Sequence, residues 1–288
     1  MKSFLKSTIG MAGAIGMVAA ITLLSSCNST PETGIGLQLW SVRDDMNKDP
    51  VATIEQVGAI GYDYVEAAGY GDGKFYGMEP AEFKDLVENN GMLFRGSHTS
   101  QAIPDTASWE TLMPWWDQCI AAHKAAGVEY IVAPSMGRSA YQSLDGLARY
   151  CEYFNAVGEK CNEAGVRFGY HNHDREFSEL EGERIYDFML RNTDPEKVGF
   201  QLDIYWIYEG GGDPMAYFEE YPERFFSIHI KDEKELGESG EIDFAPVLDR
   251  AQEIGSRYYV VEVERYNFEP LESVEKSLDY LKEIGFYK

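Results

Sequence analysis

From residue 34 onward the chain alternates short apolar runs with longer amphipathic stretches. Eight runs, at 35–40, 64–66, 93–98, 130–133, 167–171, 198–203, 225–231 and 258–262, have the length and the β-branched or aromatic content of strands. Between and after them, apolar residues recur at the helical period near 50–60, 80–90, 108–126, 142–164, 183–191, 213–220, 244–254 and 270–284. Start and stop signals frame these helices. Asp49-Pro50, Glu79-Pro80, Asp213-Pro214 and Glu269-Pro270 place proline in a first turn, and Gly61, Gly91, Gly127, Gly165, Gly255 and Gly285 follow helix ends. Eight strand–helix units without a long linker or a change of composition predict an α/β fold, a (βα)8 TIM barrel occupying 34–288 as one domain. A doubly wound open sheet would want a glycine-rich phosphate loop after its first strand. Here that strand ends Gln38-Leu39-Trp40-Ser41-Val42-Arg43, with no glycine.

Alternation within the strands assigns their two faces. Phe200, Leu202 and Ile204 oppose Gln201 and Asp203; Phe226, Ile228 and Ile230 oppose Ser227, His229 and Lys231. Val261 and Val263 oppose Glu262 and Glu264, while Phe168 and Tyr170 oppose Gly169, His171 and His173, and Glu66 ends the second strand. The apolar set is expected to face the helices and the polar set the barrel interior, at the carboxyl ends of the strands where barrel enzymes hold their chemistry. Acids and imidazoles aimed into one interior are costly unless they pair, hydrogen-bond or bind a metal. Four of the five histidines (His98, His171, His173 and His229) stand at strand ends, so a mixed nitrogen and oxygen metal site is the expectation.

Composition narrows the function. A chain with 44% hydrophobic and 14% aromatic residues can bury a large core, and a net charge of −24 repels phosphate backbones, which argues against nucleic acid. Lys2 and Lys6 precede an uncharged run from Ile9 to Leu24, followed by Leu24-Ser25-Ser26-Cys27. That is a signal peptide over 1–26, and it looks like a bacterial lipobox that would make Cys27 the lipidated first residue, with 27–33 as a tether. The expected location is extracytoplasmic, anchored by lipid to a bacterial membrane and facing the periplasm, with no other contact to the bilayer. Cys119, Cys151 and Cys161 form no C-x-x-C and are expected as unpaired, buried small residues.

At this point the residues resemble a family, the xylose isomerase-like barrels grouped as sugar phosphate isomerases/epimerases. The resemblance runs over 34–288 and rests on Gly36-Leu37-Gln38-Leu39-Trp40-Ser41-Val42-Arg43-Asp44, Gly61-Tyr62-Asp63-Tyr64-Val65-Glu66, Tyr170-His171-Asn172-His173, Leu202-Asp203, His229-Ile230-Lys231-Asp232 and Val261-Glu262-Val263-Glu264. It implies a divalent metal (Mn, Co, Zn or Mg) held by His171, Asp203, His229 and Glu262. It further implies an isomerase or epimerase that moves a proton at a carbon beside a carbonyl of a carbohydrate, through a metal-held enediolate. Glu262 or Glu66 would be the base and Lys231 would stabilise the developing oxyanion. His98, His173, Trp40, Trp206 and Glu264 would contact the sugar. Two departures stand out. His171 occupies a position where the family commonly has a glutamate serving as one of two opposed bases, and Trp206 stands where a histidine often follows the aspartate. A lyase or hydrolase for oxidised (3-keto) glycosides is therefore a second expectation, and a non-catalytic sugar-binding lipoprotein a third.

Other signals change little. Gly69-Tyr70-Gly71-Asp72-Gly73 fails the dinucleotide pattern and reads as a flexible loop, and Gly210-Gly211-Gly212 as a turn. The segment after the seventh strand carries more acid than base, which favours an unphosphorylated sugar or glycoside. Trp40, Tyr70, Tyr76, Trp206, Tyr208 and Tyr266 are candidates for stacking on a sugar ring at the rim. The oligomeric state is left open.

Overall fold

The computed structural model describes residues 34–104 and 106–288; the segments expected as signal peptide and tether, with Cys27, lie outside them. The eight barrel strands are β1 Gly36–Gln38, β2 Tyr64–Ala67, β3 Leu93–His98, β4 Tyr130–Ala133, β5 Arg167–His171, β6 Gly199–Asp203, β7 Phe225–Ile230 and β8 Tyr258–Val261. They are parallel and close in the order β1-β8-β7-β6-β5-β4-β3-β2. Outside stand α1 Pro50–Ile60, α2 Pro80–Asn89, α3 Met113–Ala125, α4 Leu144–Ala164, α5 Ile185–Asn192, α6 Pro214–Glu220, α7 Phe244–Glu253 and α8 Pro270–Glu283. The expected (βα)8 barrel is what the chain forms.

Local chemistry fixes the helix ends as expected. Asp49 accepts the Ala52 N–H in front of Pro50, and Asp213 accepts the Met215 N–H in front of Pro214. All six glycines expected after helix ends have positive φ. Gly165, at φ 78, lets α4 terminate in a left-handed residue that no β-carbon would favour. Cys119, Cys151 and Cys161 are buried and unpaired. No helix among the described residues is long and apolar enough to cross a membrane.

The differences from the expected elements have local causes. The first strand stops at Gln38 rather than 40, because the Gln38 side chain accepts the Trp40 N–H and turns Leu39–Val42 into a 3-10 helix. The stretch read as a flexible loop is a tight hairpin, Tyr70–Gly71 against Lys74–Phe75, with Asp72 and Gly73 both at positive φ. Residues after β6 form a short helix, Ile204–Glu209, capped by Asp203.

Phe226 is the informative correction. Strict alternation put it against the helices, yet the register slips between Phe200 and Gln201, so that Phe200 pairs with Phe225 and Gln201 with Ser227. Phe226 is thereby turned into the barrel, where it packs with Tyr64, Tyr130, Val132, Tyr258 and Val260. These side chains floor the amino end. Gly36 and Gly96 give the room this layer needs, since a β-carbon there would collide with the Tyr64 and Tyr130 rings; Gly169 and Gly199 do the same for Phe226. The helix-facing apolar residues form the larger core around this floor. The polar set sits above it.

Candidate functional site

Glu66, from β2, is the hub of the interior. It has no exposed surface and receives four donors: Gln38 Nε2 at 2.6 Å, His229 Nε2 at 2.8 Å and His98 Nε2 at 2.9 Å on Oε1, and Gln201 Nε2 at 2.8 Å on Oε2. Burial works against its charge, but facing His98 and His229 overcomes that and holds the carboxyl well below the usual range. Gln201, from β6, extends the network: its Nε2 donates to Ser227 Oγ at 2.9 Å and its Oε1 lies 2.7 Å from His98 Nε2 and 3.1 Å from His171 Nδ1.

Above the hub, one atom each from His171, Asp203, His229 and Glu262 lies within 4.8 Å of the others. His171 Nε2 and His229 Nδ1 are each 3.9 Å from Asp203 Oδ2, and His229 Nδ1 is 3.3 Å from Glu262 Oε2. The back of each imidazole is thus held by the protein, by Gln201 for His171 and by Glu66 for His229, while the front nitrogen is left to the cluster. Such outer partners orient metal-ligating histidines. Asp203 supplies the test of fit. Its Oδ1 accepts the Trp206 N–H at 2.8 Å, but its Oδ2 is buried and has no hydrogen-bond donor among the described residues. Burial first, eased by Lys231 and His229, leaves its pKa raised to about 7. A buried carboxylate oxygen without a donor, ringed by two imidazole nitrogens and a second carboxylate, fits a divalent cation, and the donor set suits Mn, Co or Zn.

The electrostatics give a measurable expectation. Burial disfavours the His229 imidazolium, yet Glu66 and Glu262 outweigh it and push its pKa up to about 10. Metal-free protein at pH 7 therefore carries the proton on His229, and part of one on Asp203. A cation needs both groups deprotonated, so binding should expel more than one proton at pH 7 and tighten as pH rises toward 10. Titration calorimetry with Mn or Zn in buffers of different ionisation enthalpy reads that number; a heat independent of buffer would contradict it.

A cavity of about 330 Å³ opens over the cluster, lined by Trp40, Ala68, His98, Pro134, Ser135, His171, His173, Glu262 and Glu264. His171 and Glu262 reach it; Asp203 and His229 lie in the fully buried layer. Four residues expected to touch substrate, Trp40, His98, His173 and Glu264, are on its wall. Trp206 instead packs on His173, with ring centroids 5.5 Å apart and the rings tilted by 43°. Trp40 is 45% exposed and has Arg43 over its ring. The Arg43 guanidinium also donates to Tyr266 Oη at 2.6 Å and to the Glu264 carbonyl at 3.3 Å, which braces this edge of the rim. Tyr70 is not at the rim: it packs on Trp115 and His123 of α3. Tyr76 donates no face to the cavity either, since it packs on Phe83 and accepts the Ala68 N–H. A larger groove of about 660 Å³ lies at the amino end, among Lys124, Glu129, Lys197 and Arg257, and holds none of the converging polar set.

Two expected catalytic residues occupy different places from those the sequence suggested. Lys231 does not line the cavity. Its ammonium lies 2.9 Å from Glu264 Oε2 and 3.5 Å from Glu262 Oε2, 5.5 Å from the Trp206 ring centroid. Burial opposes its charge, but Glu262, Asp203 and Glu264 raise its pKa. Glu262 in turn is held ionised: burial is outweighed by Lys231 and His229, and its pKa falls far below the usual carboxylate value. Glu66 is sealed beneath the imidazoles by its four donors. Sequence reasoning missed Gln38, which the same alternation in β1 could have found, and the joining role of Gln201.

A family model described as the xylose isomerase-like TIM barrel matches residues 54–284. The chain belongs to that family. Within it, a crystal structure of a sugar phosphate isomerase/epimerase from Parabacteroides distasonis ATCC 8503 is 31% identical, with a TM-score of 0.83 over 94% of this chain and 100% of that one. An inosose dehydratase of Lacticaseibacillus casei is 24% identical over 294 residues, 88% of this chain and 96% of that protein. The structure of an L-ribulose 3-epimerase, 15% identical with a TM-score of 0.69 over 88% of this chain and 94% of that one, shares the fold. The proteins similar to this chain thus include ones named for epimerisation and ones named for dehydration.

Proposed function

We propose that this chain is a divalent-metal-dependent enzyme that removes a proton from the carbon beside a carbonyl of a carbohydrate and then eliminates a β-leaving group, a lyase. One observation carries the choice of outcome. Both cavity carboxylates, Glu262 and Glu264, project from the end of β8, while the wall from β5 offers His171 and His173 and no facing glutamate. Inversion by two opposed carboxylates has no second partner there. The name of the inosose dehydratase relative supports the same outcome.

The metal, held by His171, Asp203, His229 and Glu262, would polarise the substrate carbonyl and lower the barrier to proton loss beside it. Glu262 takes that proton, kept ionised by Lys231. Lys231 holds Glu262 and Glu264 in position and balances their charge rather than contacting the substrate. Trp40 offers an apolar face to the ring, and His98, His173 and Glu264 offer polar contacts to its hydroxyls. The second reading is an isomerase that returns the proton to the same face. It shares the first step and is supported by the name of the Parabacteroides distasonis relative.

Metal-loaded protein incubated with aldoses, ketoses, keto-inositols and keto-glycosides in D₂O, followed by proton NMR, separates the outcomes. Loss of the α-proton together with release of water or an aglycone supports the lyase, and α-exchange with retained configuration supports the isomerase. Efficient inversion with deuterium delivered to the opposite face would refute the one-base reading. Turnover unaffected by chelator would sink the metal dependence, and binding without any exchange would leave a sugar-binding protein. The lipid anchor on Cys27, with an extracytoplasmic location, belongs to the same proposal. The mass of the mature amino terminus tests it, and an unmodified chain or cleavage elsewhere would count against it.

A further inference from the structure

We infer that Gln201 is the positioning residue that selects which nitrogen of His171 faces the metal and withdraws the Nε2 of His98 from the ligand set. The centre is then a single ion on His171 Nε2, Asp203, His229 Nδ1 and Glu262. This deepens the metal-dependent reading above and rests on it. Two groups of side chains are close enough to hold a cation: those four residues, and the three imidazoles of His98, His171 and His229. Distances alone do not choose between them. Hydrogen-bond polarity does.

A carboxamide has one donor end and one acceptor end. Gln201 Nε2 lies 2.8 Å from Glu66 Oε2 and 2.9 Å from Ser227 Oγ, so both of its N–H groups are used on that side. The reversed amide would set its oxygen against the Glu66 carboxylate with no proton between them. Oε1 is therefore the atom facing His98 Nε2, at 2.7 Å, and His171 Nδ1, at 3.1 Å. An acceptor at those distances requires a hydrogen on each of the two ring nitrogens. On His171 the proton sits at Nδ1, which leaves Nε2, 3.9 Å from Asp203 Oδ2, to the ion. On His98 the Nε2–H is shared between Gln201 Oε1 and Glu66 Oε1, the latter at 2.9 Å, and that nitrogen has no lone pair to give. One amide, oriented by one carboxylate, sets two imidazoles at once.

The test reads ring protons before it reads metal. Long-range proton–nitrogen NMR of ¹⁵N-labelled, metal-free wild-type protein should show hydrogen on His171 Nδ1 and on His98 Nε2. Hydrogen on His171 Nε2 with a bare Nδ1 would overturn the inference. In Gln201→Met, close in size but without either amide end, His171 should lose its single tautomer. Affinity for Co should fall roughly ten- to a hundred-fold, the loss typical of an outer partner, and the visible absorption of the Co-protein should change. Unchanged Co affinity and spectrum in Gln201→Met would refute the role. Should Gln201→Met not fold, the wild-type tautomers decide the matter. Wild-type protein that binds neither Co nor Mn would instead bring down the metal reading, an outcome distinct from wrong tautomers in the metal-free protein.

Discussion

Glu262→Gln should lower the rate of carbon-bound proton exchange by roughly a hundred- to ten-thousand-fold, the range expected when a general base is lost. The reason is positional. Glu262 lines the cavity and belongs to the four-residue cluster, and Lys231 keeps it ionised where burial alone would neutralise it. The amide is nearly the same size, so the cavity should survive. Because the change also weakens a metal ligand, the variant has to be compared at saturating metal with its content measured. Glu264→Gln is the companion: its carboxylate lies outside the four-residue cluster and is 2.9 Å from Lys231. Its loss should show mainly as weaker substrate binding. Exchange measured by NMR in D₂O that is slowed more by Glu264→Gln than by metal-replete Glu262→Gln would reassign the base.

Glu66→Leu should cost about 3–5 kcal/mol of stability, the usual consequence of removing one side of a buried ionic arrangement and stranding the other. Four donors, from Gln38, His98, Gln201 and His229, lose their acceptor in a place without solvent. Urea unfolding of metal-free protein reads the loss, and a change under 1 kcal/mol would show that the hub is dispensable. The pH dependence carries the same signature. The folded Glu66 pKa is lowered, so its stabilisation is fully present above about 4.5 and is lost as pH falls below that value. The folded His229 pKa is raised, so its share is fully present below about 6.5 and is lost as pH rises through about 10. Removing Glu66 should flatten both limbs.

The barrel and the polar layer were legible because their signals are local. Alternation placed Gln201, Asp203, Ser227 and His229 inside without knowledge of any partner strand, and proline and glycine positions fixed the helix ends. Phe226 was not legible, since a bulge exists only relative to the neighbouring strand, and nothing in Phe225-Phe226-Ser227 says which of two phenylalanines turns inward. Glu66 and Lys231 were found as interior charges but given open, substrate-facing roles. What decides between an open and a sealed carboxylate is the set of donors around it, and Gln38, His98, Gln201 and His229 come from four different strands. The Tyr70–Phe75 hairpin has a local signal in Asp72-Gly73, but the glycines that flank it fit a flexible loop as well as a turn.

The aromatic floor sets the traffic through the interior of this protein. Tyr64, Tyr130, Phe226 and Tyr258 close the amino end with buried side chains, so the way in and out of the polar cluster is the mouth above it. A ligand filling about 330 Å³ would stand in that mouth. The barrel would then be a vessel stoppered by its own ligand, and an ion seated on the cluster would leave more slowly while the cavity is filled. Metal loss to a chelator that slows when a sugar occupies the cavity is the trace such an arrangement leaves.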